Sequence, residues 1–170
     1  MESKVKLAGH PIHPMIIVLP LGLYSISVIF DIIRMITGNE ILATVSYWNI
    51  AAGIIGGLAA AVSGTVDWLP IPAGTRAKQI GLWHGVGNVV VTGLFTVSWF
   101  MRSNEPGYVP STLAFLLVLA ALLLSVVTGW LGGELVDRLG VGVDNGANLN
   151  APSSLSGKPA REGATGGERV

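Results

Sequence analysis

Four long apolar runs, separated by short polar stretches, dominate the hydropathy pattern of this 170-residue chain. They cover residues 15–36, 48–69, 82–101 and 111–133. Each run is long enough to cross a bilayer as a helix, which takes about 20 residues, and a helix satisfies its backbone polar groups without water. The short connections favour antiparallel packing of successive helices. The pattern therefore predicts an all-α integral membrane protein built as a four-helix bundle.

The polar ends of the chain predict two further segments. Residues 1–14 form an N-terminal segment that ends in the sequence HPIHP, and the membrane domain then covers residues 15–139. Residues 140–170 are rich in Gly, Asn, Ser and Pro and lack apolar periodicity. That composition predicts a flexible, disordered C-terminal tail.

Composition and charge exclude several classes of function. Only 12% of the residues are charged, against about 25% in soluble domains, and the ten basic and ten acidic residues balance. This balance gives no indication of nucleic-acid binding. The chain has no cysteine, which excludes disulfides, thiolate metal sites and covalent c-type haem.

The distribution of basic residues predicts the orientation in the membrane. An even number of spans places both termini on one side, with five basic residues near the spans, against two on the other side. Cytoplasmic flanks are enriched in Lys and Arg, so we expect both termini in the cytoplasm. The two groups are Lys4, Lys6, Arg76, Lys78 and Arg138, and Arg34 and Arg102.

The same topology brings polar residues from all four spans to the terminal side of the bundle, and these form the candidate site. Histidine is the commonest metal ligand, and ionisable residues at a membrane boundary suggest function. Imidazole suits zinc, copper, iron and nickel, and two histidines can hold a b-type haem. The prolines make the HPIHP segment rigid, so His84 would pair with either His10 or His13 on a haem. The candidate metal or haem ligands are His10, His13, His84, Asp67 and Glu134, with Asn88 and Asp137 supporting them.

Two other patterns predict packing rather than chemistry. Steps of three and four residues along the second span put Gly53, Gly57, Ala60 and Gly64 on one helical face, which allows close helix approach. Asp67 continues this face, so its carboxylate is expected either to face the other helices or to serve as an interfacial cap. On the first span, Asp31 and Arg34 are three residues apart and are expected to form a structural ion pair.

Four stretches of the sequence carry a resemblance to a known family. They read GHPIHPMIIVLPLGLYSISVIFDII, AAGIIGGLAAAVSGTVDWL, LWHGVGNVV and GWLGGELVDRLGVGV, and together they extend over residues 9–143. The chain resembles the bacterial membrane family known as domain of unknown function 2231. The resemblance implies a prokaryotic four-helix membrane domain, and hence a multi-pass protein of the bacterial inner membrane.

The resemblance also bears on the candidate site. The polar positions of the family fall here on His10, His13, Asp31, Asp67, His84 and Glu134. Relatives occur beside or fused to Rieske-type iron–sulfur modules, which implies a link to electron transfer and a redox protein as partner. Members often have histidine before the final Gly-Val-Gly-Val, where this chain has Leu139. Any cofactor held by that histidine would be altered or absent here.

Three hypotheses of function remain open from the sequence. In the first, the protein is a non-enzymatic membrane scaffold or partner subunit, and its polar residues form structural bonds. In the second, it is a redox-associated module that binds a metal ion or b-type haem. In the third, a homo-oligomer transports protons or small ions. No hydrolase motif is visible, since the chain lacks an HExxH sequence and a phosphate loop.

Overall fold

The computed structural model describes residues 1–163, and the long helices occupy the four predicted spans. A two-stranded antiparallel hairpin of β1 (Lys6–Leu7) and β2 (His10–Pro11) precedes them. The helices are α1 (Ile12–Ile16), α2 (Val18–Thr37), α3 (Ile41–Trp68), α4 (Arg76–Arg102) and α5 (Thr112–Gly133), and α5 continues as a π-helical turn (Glu134–Arg138). Short 3-10 turns lie at Pro106–Tyr108, Ser154–Ser156 and Ala160–Gly163.

Two helices begin earlier than their predicted spans. The first turn of α4 is polar, whereas the first turns of α3 are apolar residues interrupted by Thr44 and Ser46. Helix α3 begins at Ile41 rather than at residue 48, and α4 begins at Arg76 rather than at residue 82. Thr75 caps α4, since its hydroxyl accepts a hydrogen bond from the Lys78 amide at 3.2 Å. Hydropathy marks the part of a helix that crosses hydrocarbon, not the turns that continue into the interface.

The four long helices form a bundle in which sequence neighbours pack together. Helix α2 packs on α3, α3 on α4, and α4 on α5, and α5 returns to α2. In the core, the rings of Tyr24 and Phe95 stack with centroids 3.9 Å apart, and Ile50 and Val118 are fully buried beside them. All four helices are long and apolar enough to cross a membrane, and their outward faces carry exposed apolar side chains such as Ile55 and Val126.

The small residues of α3 lie where other side chains approach its backbone. A Cβ atom on Gly53 would come within 2.6 Å of the Tyr24 ring, and one on Gly64 within 2.8 Å of the His13 ring. Gly57 faces Thr92 of α4 and the Tyr24 hydroxyl, and Ala60 is buried between them. The face of α3 that carries these small residues therefore contacts helices on two sides of α3 rather than on one.

Both ends of the described chain lie at one end of the bundle, which we call the terminal face. It comprises residues 1–11, the connection 69–75 and the tail 140–163. The Met1 amine donates a hydrogen bond to the Gly140 carbonyl at 2.8 Å, and Glu2 forms a bridge with Gly142. Between its two 3-10 turns the described tail is irregular. The last part of the predicted disordered tail, residues 164–170, lies outside the described residues.

Candidate functional site

His13 and His84 come together just inside the terminal face. His13 lies in α1 and His84 lies two turns into α4. Their ring centroids are 6.3 Å apart, and the planes of the rings are nearly perpendicular, at an angle of 78°. Both side chains are half-buried. Span counting predicted that His84 would pair with either His10 or His13, and the structure brings His13 to it.

His13 is held by the last turns of α3. Its Nδ1 atom lies 2.9 Å from the Ala60 carbonyl oxygen, and the ring rests against the bare backbone of Gly64. Ser63 Oγ is 3.4 Å from the same nitrogen. The helix therefore supplies both the hydrogen-bond acceptor and the space for the ring.

His84 is held in a closed circuit of hydrogen bonds with Asn88 and Thr128. Its Nδ1 atom lies 2.8 Å from the Thr128 carbonyl oxygen on α5. The Thr128 hydroxyl donates to Asn88 Oδ1 at 3.1 Å, and the Asn88 amide donates to the His84 carbonyl at 2.8 Å. Asn88 Nδ2 also lies 3.4 Å from His84 Nε2. Asn88 thus has the supporting position expected for it.

The partners of the two rings determine where their protons lie. A carbonyl oxygen can only accept, so Nδ1 of each neutral ring carries the hydrogen and donates it. Nε2 then keeps its lone pair in both His13 and His84. The two rings therefore present one basic nitrogen each near the junction of three helices.

The other predicted ligands do not join this pair. His10 is exposed in β2, and its Nε2 atom lies 3.2 Å from the Ser154 hydroxyl. Asp67 binds the N-terminal segment instead of a neighbouring helix: its carboxylate accepts bonds from the Ser3 hydroxyl at 2.8 and 2.9 Å and from the Lys4 amide at 2.6 Å. Across residues 1–163 no group of three or more acidic or histidine side chains is arranged to hold a metal ion.

Glu134 and Asp137 lie in the π-helical turn that continues α5. Glu134 forms an ion pair with Arg76 at 2.5 Å, and both residues line a shallow surface cleft with Trp130 and Arg138. Leu139 ends this turn. The Glu134 carboxylate is therefore engaged by Arg76 rather than by either histidine.

At the opposite end of the bundle, the Asp31 carboxylate is paired with Arg102 rather than with Arg34. The guanidinium donates to both carboxylate oxygens, at 3.0 and 2.7 Å, and both side chains are completely buried. The hydroxyl oxygens of Ser46 and Ser98 accept two further hydrogen bonds from the guanidinium, each at 3.2 Å. The expected Asp31–Arg34 pair is wrong because the interior of the bundle brings α4, and not the next turn of α2, to the carboxylate.

Sequence reasoning missed several residues of these networks. Arg102 directly follows the last residue of its apolar run, so the sequence pattern placed it in a loop. Thr128 and Ser63 sit inside apolar helices, and nothing in the spacing of these residues distinguishes them from other small packing residues. Ser3 lies in an extended segment with no periodicity to predict its partner. Nothing in the sequence around Ser3 indicated that its hydroxyl would bind Asp67.

A charged cluster ties the N-terminal segment to the tail. Lys6 Nζ lies 2.5 Å from Asp144 and 3.1 Å from Glu2, and the Asn145 amide donates to Glu2 at 3.0 Å. The Asn145 amide and the Lys6 ammonium hold the pKa of Glu2 below its usual range. Asp144 and Glu2 raise the pKa of Lys6. Glu2 and Lys6 are therefore both charged near neutral pH.

Comparison with known proteins agrees with the description of the chain as a membrane protein. The family model described as "Predicted membrane protein (DUF2231)" matches residues 9–145, and the chain belongs to this family. Neither the curated proteins nor the solved structures include a match to the chain.

Proposed function

We propose that this member of the DUF2231 family is a membrane-embedded partner subunit, whose terminal face docks another protein. One observation carries the proposal. The N-terminal segment and the tail are bonded to each other outside the spans, so they form a defined surface beyond the bilayer. A protein that only had to span the bilayer would not need an ordered surface outside it.

Contacts at several points along both segments build this surface. Asp67 fixes the backbone of residues 3–5 to the end of α3, and Lys6 is paired with Asp144. Further along the tail, the Ser154 hydroxyl donates to the Ala8 carbonyl at 3.1 Å. A surface whose parts are already ordered loses less conformational entropy when a partner binds.

The tail also carries apolar side chains that the bundle does not cover. Leu149 and Leu155 are 96% and 78% exposed, although the tail lies outside the spans. Removal of apolar surface from water is the main favourable contribution to most protein–protein association. These two leucines are therefore the proposed contact residues for the partner.

Photocrosslinking in intact membranes tests this proposal. A photoreactive amino acid at position 155 should give a discrete product with another protein, and Leu149→Ser should abolish that product. The same amino acid at Glu105, an exposed residue at the opposite end of the bundle, is the matched control and should not give it. Lipid adducts alone, a product equally strong from position 105, or a product made only of this chain would overturn the proposal.

The redox and transport hypotheses remain predictions. A redox-associated role would make the docked partner a redox protein and would require a cofactor, for which His13 and His84 are the paired candidates. Transport would require an ionisable residue free to exchange its ion or proton. Asp31, the acidic residue of the membrane interior, is bonded through both oxygens to Arg102.

A further inference from the structure

We infer that His13 and His84 form a two-imidazole site for a single transition-metal ion, best suited to Cu(I). The inference rests on the separation of the rings, on the tautomer that their partners impose, and on the absence of a carboxylate from the pair. It is independent of the docking role, because a subunit can hold a metal whether or not it binds another protein.

The separation of the rings matches that of two imidazoles on one ion. Metal–imidazole bonds are about 2.0–2.1 Å long, which places an ion about 3 Å from the centroid of each ring that binds it. The His13 and His84 centroids are 6.3 Å apart. Twice the ion-to-centroid distance is close to this centroid separation, so the spacing of the rings suits one ion in nearly linear coordination, which also accommodates the nearly perpendicular ring planes.

The surroundings of both rings resemble the outer shell of a metal site. A ligating histidine normally donates its other ring N–H to a carbonyl or carboxylate, which fixes the tautomer and orients the ring. Here Nδ1 of His13 is bonded to the Ala60 carbonyl and Nδ1 of His84 to the Thr128 carbonyl. The long 3.4 Å contact from Asn88 to His84 Nε2 is the one that an ion would replace, and Asn88 would keep its shorter bond to the His84 carbonyl.

The choice of ion follows from charge. Asp67 and Glu134 are engaged elsewhere, by the N-terminal segment and by Arg76, so the two ligands at the site are neutral. An uncompensated charge is costly in a half-buried site, and the cost is smaller for a monovalent ion than for a divalent one. Imidazole suits zinc, copper, iron and nickel, and of these metals copper is the one with a common monovalent state.

The test uses the full-length protein in detergent, stripped with a chelator and titrated anaerobically with Cu(I) against a chromophoric competitor. The wild type and His10→Ala should each bind one equivalent. His13→Gln and His84→Gln should each lower the affinity at least tenfold. His10 is the matched control, because it is the third histidine of the chain and lies outside the pair. Equal affinities in all four proteins, or loss of binding in His10→Ala, would overturn the inference.

X-ray absorption on the wild type keeps the inference testable if a histidine variant does not fold. The Cu(I) spectrum should show two nitrogen scatterers of the imidazole type, and a larger number of ligands or sulfur scattering would refute the site. Protein purified from cells grown with ample haem and metals provides a third readout. A Soret band that both variants lose would assign the pair to haem and would equally refute the bare ion.

Discussion

Replacement of Arg102 by methionine should destabilise the protein more than any other single change to its charged residues. Methionine retains much of the side-chain volume but leaves the Asp31 carboxylate buried without its partner. Both side chains are completely buried, and both carboxylate oxygens accept bonds from the guanidinium. Breaking such a pair costs about 3–5 kcal/mol.

Thermal unfolding in detergent gives the assay and its expected size. For a chain of this length, 1 kcal/mol shifts the Tm by about 2–4 °C, so Arg102→Met should lower the Tm by roughly 6–20 °C. Arg34→Met is the matched control, because the Arg34 side chain is only half-buried and Asp31 is paired with Arg102 instead, so its cost should be clearly smaller than that of Arg102→Met. The double change Asp31→Asn with Arg102→Met should recover part of the loss, because it removes both buried charges. Equal destabilisation by the two single arginine variants would refute the assignment of the pair.

Three further predictions concern the terminal face. Gly64→Ala should displace His13 and cost about 1–3 kcal/mol of unfolding free energy, because the new Cβ would lie 2.8 Å from the ring. The control Gly22→Ala should cost less, since nothing lies within 4 Å of a Cβ at that position. Equal losses of stability in the two variants would contradict the contact between Gly64 and His13. The pKa of Glu2 is lowered, so the hydrogen bond from the Asn145 amide to its carboxylate is present at neutral pH. The bond is lost when the pH falls through the pKa of Glu2, which lies below the ordinary value of 4.5. The amide resonance of Asn145 should report this loss by NMR, and the same pH dependence in Glu2→Gln would contradict the prediction. Reporter fusions to the C-terminus should be active only with a cytoplasmic reporter, and periplasmic activity would reverse the proposed orientation.

The fold was predictable because hydropathy over about 20 residues is a strong local signal, and the HPIHP and GWLGGELVDRLGVGV stretches also indicated the family. The ends of the helices were harder to predict from the sequence. Thr75 caps α4 through a side-chain bond, and such a bond does not change the mean hydropathy. The predicted segments were therefore shorter than the helices.

The candidate site could be predicted only for residues whose place in the bundle follows from the number and order of the spans. Counting spans placed His84 at the same end as the HPIHP segment, and the structure pairs it with His13. It could not separate His13 from His10, because the boundary between the hairpin and α1 falls between them. The partner of Asp31 was missed for a different reason. The nearest basic residue in sequence lies on the same helix, whereas the partner in space is 71 positions away.

The buried pair of Asp31 and Arg102 also has a consequence for how the chain enters the membrane. Asp31 is on α2 and Arg102 ends α4, so the carboxylate reaches the bilayer two spans before its counterion. A charged side chain at the centre of a span adds about 2.5–3.5 kcal/mol to the cost of insertion, and Asp31, which lies toward the end of α2, adds part of that cost. A chain interrupted after α3 would hold this carboxylate without its counterion. The two charges can neutralise each other only after α4 has been made.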